Sequence, residues 1–355
     1  MFTERISSRI IEADKSIIQT MKFMDDARIK SLLVYDGDSF LGMITNGDLQ
    51  RAIIANKTFD MPIKEILDHT NKKYAHKEDD IKHIKEWMIE VRAELMPILD
   101  HNGDLEDVIF WEDLFIDDKK DYQEKINLPV VIMAGGKGTR LKPITNVIPK
   151  PLVPIGDKTI LETIMDQFED IGCHHFYMSV NYKANMMKYY LDQLEHKYDI
   201  EFFQEDKPLG TIGSVSLLKN KIATPFFVSN CDIIIDQDYR EVYDYHIKNE
   251  NDLTIVTAVK SMTIPYGVVE TGNNGIMTGL KEKPVETYMI NTGVYILNPE
   301  LIGLIPQGEF YHITHLMEKI KSEGGRIGCF PVSEHSWHDM GEWNEYLKII
   351  NAQNK

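Results

Sequence analysis

The sequence predicts an α/β protein in two unequal parts, the larger built on a mostly parallel sheet with helices on both faces. Three observations carry this reading. A short β-branched run, Val130-Val131-Ile132-Met133, leads into a glycine-rich turn. Beyond it, strand-like and helix-like segments alternate. The first third of the chain repeats one strand and helix pattern about 65 residues apart, which points to a pair of small modules.

Taken in order, Leu32 to Tyr35 reads as a strand, Asp36-Gly37-Asp38 as a turn and Leu41 to Thr45 as a second strand. Asn46, Gly47 and Asp48 then open a helix through Ile54. The pattern returns with strand Met96 to Leu99, a turn at Asn102 and Gly103, strand Val108 to Phe110 and a helical start at Trp111 to Phe115, a repeat of βαββα character. Asp117 to Asn127 is charged, lacks apolar periodicity and reads as an interdomain linker. The expected organisation is a first module over 1–57, a second over 58–118, a linker over 119–127 and one larger domain over 128–355. In the larger domain Val130 to Met133 is a buried parallel strand. Ile160 to Ile171 has helical spacing, His175 to Asn181 reads as a strand and Ala184 to Glu195 as a helix. The Met186-Met187 and Tyr189-Tyr190 pairs on that helix read as packing. Pro225 to Asp236 reads as a buried strand ending in polar residues, which sets Asp232 at a strand's carboxyl end, where α/β proteins hold ligands.

Composition removes several classes of function. A chain of 355 residues with 43% hydrophobic residues can bury more than one core. A net charge of -17 argues against nucleic acid, whose phosphates select basic surfaces. The N-terminal residues are too polar for a signal segment, and no run approaches the roughly 18 apolar residues of a membrane helix, so a cytoplasmic protein is expected. Three cysteines, Cys173, Cys231 and Cys329, cannot all pair and read as reduced, mostly buried thiols. His312 and His315, like His335 and His338, have HxxH spacing, but neither pair encloses the glutamate of a zinc hydrolase.

The chemistry concentrates in VVIMAGGKGTRLKPITNVIPKPLVP, Val130 to Pro154. Gly135, Gly136 and Gly138 allow a tight turn and close approach of a ligand to the backbone. Exposed N–H groups in such a turn form an anion cradle, and Lys137, Arg140 and Lys150 add cations to it. The expected ligand is a phosphate chain. A Walker loop does not fit, because Lys137 precedes the last glycine, and a dinucleotide fingerprint does not fit, because Leu141 stands where a small residue is needed.

This segment resembles the signature of the sugar-phosphate nucleotidyltransferases, and the resemblance runs from about Leu128 to the C-terminus. It implies a Rossmann-like domain, with Ala134, Gly135, Gly136, Gly138 and Thr139 around a nucleoside triphosphate and with Arg140 and Lys150 as the catalytic cations. It also implies that a sugar phosphate oxygen, already ionised, attacks the α-phosphorus without a side-chain base. Such a reaction needs positioning, cations and Mg2+, and magnesium prefers few carboxylates plus phosphates and waters. Asp232 and Asp339, the latter in the island Trp337 to Gly341, are the expected ligands.

Tyr266-Gly267-Val268, Glu282-Lys283-Pro284 and Asn291-Thr292-Gly293 follow in the family's order. By resemblance Gly267, Glu282, Asn291 and Thr292 contact the sugar and Lys283 its phosphate. The run Gln204 to Thr211 matches the family's base-recognition loop, with Glu205, Gly210 and Thr211 on the nucleotide. A carboxylate only accepts hydrogen bonds, and guanine alone presents two adjacent donors on its edge, so GTP is the expected donor.

The N-terminal repeat resembles a tandem pair of CBS domains, carried by GMITNGDLQRAI with Thr45 and Asp48. The second copy has Phe110 in place of the threonine and keeps Asp113. The resemblance implies an adenine nucleotide between the repeats and a homo-oligomer formed through them. Thr45 and Asp48 fit helix capping equally well.

The combined architecture resembles the glucosamine-1-phosphate guanylyltransferases of legionaminic acid synthesis, and glucosamine 1-phosphate is the expected acceptor. Mannose 1-phosphate or heptose 1-phosphate is the alternative, and an inactive nucleotide sensor is the alternative of another class.

Overall fold

The computed structural model describes residues 3–68, 70, 72–91, 93–115, 125–194 and 198–353. The chain divides into two compact units, Met1–Gln123 and Glu124–Lys355.

The first unit runs α1 (Glu4–Ser7), β1 (Ile10–Glu12), α2 (Ile17–Ala27), β2 (Ser31–Asp36), β3 (Ser39–Thr45) and α3 (Asn46–Ile54). It continues with β4 (Ala75–His76), α4 (Ile81–Glu90), β5 (Leu95–Leu99), β6 (Leu105–Phe110) and α5 (Trp111–Leu114). The sheets β1-β2-β3 and β4-β5-β6 have one connectivity: a parallel first pair and an antiparallel second pair. Local signals set the helix starts. Ser16 and Gln19 make a capping box on α2, and Thr45 and Asp48 make another on α3. Leu33, Met43, Leu95, Val108 and Phe110 share one apolar cluster, so the two halves close over a common core.

The second unit comprises β7 (Val130–Met133), α6 (Ile144–Val147), β8 (Pro154–Ile155), β9 (Lys158–Thr159), α7 (Ile160–Glu169), β10 (His175–Val180), α8 (Ala184–Asp192) and β11 (Asp199–Gln204). Then come β12 (Phe226–Asn230), β13 (Ile233–Ile235), α9 (Tyr239–Lys248), β14 (Leu253–Thr263), β15 (Val268–Thr271), β16 (Met277–Lys281) and β17 (Val285–Leu297). The unit ends with α10 (Ile313–Ser322), β18 (Ile327–Ser333), β19 (Trp337–Asp339) and α11 (Trp343–Gln353).

Among the described residues, seven strands form the central sheet in the order β11-β10-β7-β12-β17-β14-β18. Only β17 runs against its neighbours there, so the sheet is mostly parallel, as expected. The two faces carry different cores. Val130 and Ile132 of β7 join one cluster with Ile160, Phe168 and Met187, while Val131 joins another with Val215, Leu301 and Leu316. Alternate residues of one strand thus serve both sides, which is why the run is apolar without a break. Burial of each such side chain contributes about 1.5–3 kcal/mol.

Several details differ from the sequence reading. Most of the expected linker lies outside the described residues, but Ile126 belongs to the second unit, where its N–H donates to Ile171 O (2.8 Å). On α8, Met187 is fully buried, whereas Met186 and Tyr189 face solvent because the helix meets the sheet along one stripe only. The cysteines agree with the expectation of mostly buried thiols: Cys173 and Cys231 are buried and Cys329 is half-buried. β14 and β17 are not among the expected elements. Both outrun the sheet, and the hairpin β15-β16 continues them as an arm on which Met262, Tyr266, Ile276 and Tyr288 are exposed.

Candidate active site

The glycine turn leaves the carboxyl end of β7 in the middle of the sheet, with β10 on one side and β12 on the other. Its glycines are not equivalent. Gly138 has φ +62°, and a Cβ there would stand 2.8 Å from Lys150 Cβ and 2.9 Å from Thr145 Cγ2. Its carbonyl accepts from the Thr145 hydroxyl (2.7 Å), so the turn is folded onto the segment that carries Lys150. Gly136 has open space around it, and Gly135 would make only ordinary contact with Asn181 and Glu205. Of the two uses expected of these glycines, the tight turn falls to Gly138, and Gly135 and Gly136 leave room beside the backbone.

Lys150 is drawn inward at the start of a 3-10 turn, Lys150–Leu152, where it stands between Pro149 and Pro151. It is 8% exposed, and its ammonium donates to Asp232 Oδ2. Burial pushes this ammonium below its ordinary value, nearby Arg140 pushes the same way, and Cys231 and Asp339 oppose them. Asp232 lies in the short link between β12 and β13 and is also 8% exposed.

Asp339 arrives by strand pairing. β19 runs antiparallel to β13 with Asp339 opposite Ile233, and Met340 N donates to Asp232 O (2.8 Å). Gly341 closes the group. A Cβ on it would lie 2.3 Å from Lys150 Nζ, 2.7 Å from Asp232 Oδ2 and 2.8 Å from Asp339 Oδ1, so two carboxylates and an ammonium converge on a spot kept clear by a glycine. Arg140 reaches the same place: its Nη1 is 3.6 Å from Asp339 Oδ2 and pairs with Glu342. Lys137, the third expected cation, is exposed.

An adjoining cleft of about 400 Å³ is lined by Arg140, Asp232 and Asp339 together with Thr211, Asn230, Asn291, Thr292, Tyr295, His312 and Trp337. Asn291 Oδ1 accepts from Gly293 N (3.0 Å) and from the Tyr295 hydroxyl (2.9 Å), which leaves the amide nitrogen for a ligand. Thr292 is buried and donates to Val256 O (2.8 Å) at the register shift between Ile255 and Thr257 of β14. Gly293, at φ +92°, lets β17 pass across Asn230, whose Nδ2 would be 2.3 Å from a Cβ. Gly210, at φ +82°, lies against Tyr311 O, and Thr211 Oγ1 accepts from Ile313 N (2.9 Å), so this loop is pinned to the start of α10.

Glu205 follows β11 and is 6% exposed. It accepts from the Ser179 hydroxyl (2.7 Å) and from Leu209 N (3.1 Å), and its carboxylate sits beside Gly135 rather than on the cleft wall.

Gly267, Glu282 and Lys283 are not brought to the cleft. They are exposed on the arm, where Gly267 abuts the Glu282 carboxylate. The sequence reading joined them to Asn291 and Thr292; the structure separates them because β17 leaves the sheet N-terminal to Asn291.

Sequence reasoning did not single out Asn230, Tyr295 or Glu342 and weighed His312 only for its HxxH spacing. Asn230 directly precedes the Cys231-Asp232 pair, and that adjacency was the available signal.

A mostly parallel sheet with a glycine turn and Asp232 at the carboxyl ends of its strands, joined by two cations and by Asp339 from the β13-β19 ribbon, defines a class of phosphate-handling transferase. The chain belongs to the nucleotidyl transferase family, whose sequence profile matches residues 129–355. It is 33% identical over 226 residues to the mannose-1-phosphate guanyltransferase of Pichia angusta, covering 61% of this chain and 62% of that protein. It is 39% identical over 227 residues to that of Yarrowia lipolytica, covering 61% of each. The match thus spans less than two thirds of these relatives. Among solved structures, HddC from Yersinia pseudotuberculosis is 28% identical with a TM-score of 0.50, covering 64% of this chain and 99% of that one. No helix among the described residues is long and apolar enough to cross a membrane.

Proposed function

We propose that the protein transfers GMP from GTP to a hexose 1-phosphate, releasing pyrophosphate, with mannose 1-phosphate as the first acceptor to test. The observation that carries this reading is the convergence of Lys150, Asp232 and Asp339 on Gly341 beside Arg140. The relatives' activity agrees with it. In the proposed reaction a sugar phosphate oxygen bonds to the α-phosphorus as the bond to the β-phosphate oxygen breaks, and the electron pair leaves with pyrophosphate. The attacking oxygen is ionised near neutrality, so no side chain has to remove a proton. Arg140 and Lys150 would bear on the triphosphate and hold its developing charge.

The donor set fits magnesium: two carboxylates meet in a pocket that a single Cβ would fill, and phosphates and water would complete the shell. Asp232 and Asp339 would hold the ion, which when bound supplies positive charge at the transferring phosphoryl group. Lys150 would then pass from Asp232 to phosphate. Ala134, Gly135, Gly136, Gly138 and Thr139 would cradle the triphosphate. Glu205 would read guanine with the acceptor capacity left beside its bonds from Ser179 and Leu209.

Glucosamine 1-phosphate ranks behind mannose 1-phosphate. An ammonium on the sugar calls for a carboxylate of its own, and the described residues lining the cleft offer only Asp232 and Asp339, both assigned to the ion. Gly267, Glu282 and Lys283 enter the sugar site only if the arm folds toward Asn291.

For the first unit we propose a tandem CBS pair. Its support is the shared connectivity of the two sheets and the equivalent places of Asp48 and Asp113, the third residues of α3 and α5. An adenine nucleotide at Thr45 and Asp48 would have to displace Lys72 and Arg51, which already hold that carboxylate. Calorimetry with AMP and ATP tests this; heat from neither removes the sensor role. We place the protein in the cytoplasm as a homo-oligomer, a state that light scattering reads directly.

The deciding experiment crosses four nucleoside triphosphates with mannose, glucosamine and heptose 1-phosphates and reads pyrophosphate. GTP with mannose 1-phosphate should lead. Preference for UTP or dTTP would overturn the donor, and preference for glucosamine 1-phosphate would restore the alternative acceptor.

A further inference from the structure

Glu342 lies outside every motif read from the sequence, yet it holds the guanidinium on which nucleotide binding is proposed to depend. Its placement is built. The turn Asp339-Met340-Gly341-Glu342 is closed by Glu342 N donating to Asp339 O (3.1 Å), so the residues that supply a carboxylate, make room for Lys150 and face Arg140 share four consecutive positions. Helix α11 follows at once and is tied to the glycine-turn segment at two points: Trp343 Nε1 donates to Lys142 O (3.2 Å), and the Tyr346 hydroxyl donates to Pro154 O (3.0 Å). Those bonds fix the start of α11 against the stretch that carries both Arg140 and Lys150. The Glu342 carboxylate accepts from Arg140 Nη1, with side chains 50% and 56% exposed.

The three acids of this group differ in what they would do on loading. Asp232 and Asp339 would turn to the metal ion. Glu342 would keep its charge, and the triphosphate would compete with it for the guanidinium, which prefers bidentate phosphate oxygens to a single carboxylate contact.

We propose that Glu342 is a positioning residue that competes with the nucleotide for Arg140 and thereby lowers nucleotide affinity, so that the nucleotide must displace it to enter. The inference rests on the proposed nucleotidyl transfer and concerns the phosphate end of the donor, whichever base it carries.

Calorimetric titration of the full chain with GTP in magnesium buffer tests it, with the other three triphosphates in parallel. Glu342→Gln keeps the shape and removes the charge. It should tighten binding about two- to fivefold, the range expected for an exposed ion pair, and the gain should fall in KM for the nucleotide rather than in kcat. In an Arg140→Gln background the same change should have no effect on binding. Unchanged or weaker binding in Glu342→Gln, or a gain that persists without Arg140, would overturn the proposal. Wild-type protein that binds no nucleotide would instead remove the transferase reading itself, and tighter binding of another triphosphate by Glu342→Gln would move the donor while leaving the competing role of Glu342 in place.

Discussion

Each unit contains a buried aspartate held by a lysine, and the two sites are built as opposites. In the first unit Asp48 is 5% exposed, and its Oδ2 accepts from Thr45 N (2.7 Å), from the Thr45 hydroxyl (2.7 Å) and from Lys72, while Oδ1 takes Arg51. Both oxygens are occupied by groups whose places are set by the α3 cap and its neighbours. In the second unit Asp232 is bound by Lys150, lies on a cleft wall and stands across Gly341 from another carboxylate. Burial alone therefore does not distinguish the carboxylate proposed to hold an ion from one that caps a helix. What separates the two is whether the surrounding groups close on the acid or converge on a space beside it.

The comparison is broken most directly at Asp232. Asp232→Asn should lower pyrophosphate release about a thousandfold, the scale of losing one charged partner of a transferring phosphoryl group, with the fold intact by circular dichroism. Turnover near wild type would show that this acid is as structural as Asp48. Gly341→Ala comes next. Its new methyl group would meet Lys150 Nζ, Asp232 and Asp339, and displacing them by about an ångström should reduce turnover about a hundredfold in the pyrophosphate assay.

The converse change, Asp48→Asn, strips charge from a site with two cations, and should destabilise the first unit by about 2 kcal/mol in urea unfolding. A ligand role without a structural one would leave that midpoint unmoved. Glu205→Gln is expected to cut the preference for GTP over UTP about tenfold in competition assays, because an amide presents a donor where guanine needs acceptors.

The smallest effect is on pH. Burial lowers Lys150 from its ordinary value of 10.5, so between the lowered value and 10.5 the folded state binds fewer protons than the unfolded chain, and stability rises with pH across that window. Below the window the buried charge is a constant cost. Lys150→Met should flatten this rise in melting curves recorded on the alkaline side; a slope equal to wild type would assign it elsewhere.

Much of this is legible in the chain itself. The β7 turn was legible because β-branched runs, glycines and prolines act locally, and the repeat was legible because Asp48 and Asp113 recur in register. Asp232 and Asp339 could each be named, but their meeting depends on β13 pairing with β19, and no local propensity encodes that pairing. The same holds for Glu342, whose partner is fixed by where α11 docks. Motif order is also not spatial order. Gly267, Glu282 and Asn291 follow one another in the family's sequence, yet strand length decides which of them stay on the sheet, and a strand's end is the least certain thing to read from residues.

That strand has a geometric consequence. β17 is continuous from Val285 to Leu297, buried through its C-terminal half and exposed through the N-terminal half that enters the arm. Asn291 and Thr292 sit where one half becomes the other, opposite the register shift in β14. Asn291 at the cleft and the exposed apolar residues Tyr288 and Met289 of the arm therefore lie on one unbroken strand, three residues or fewer apart.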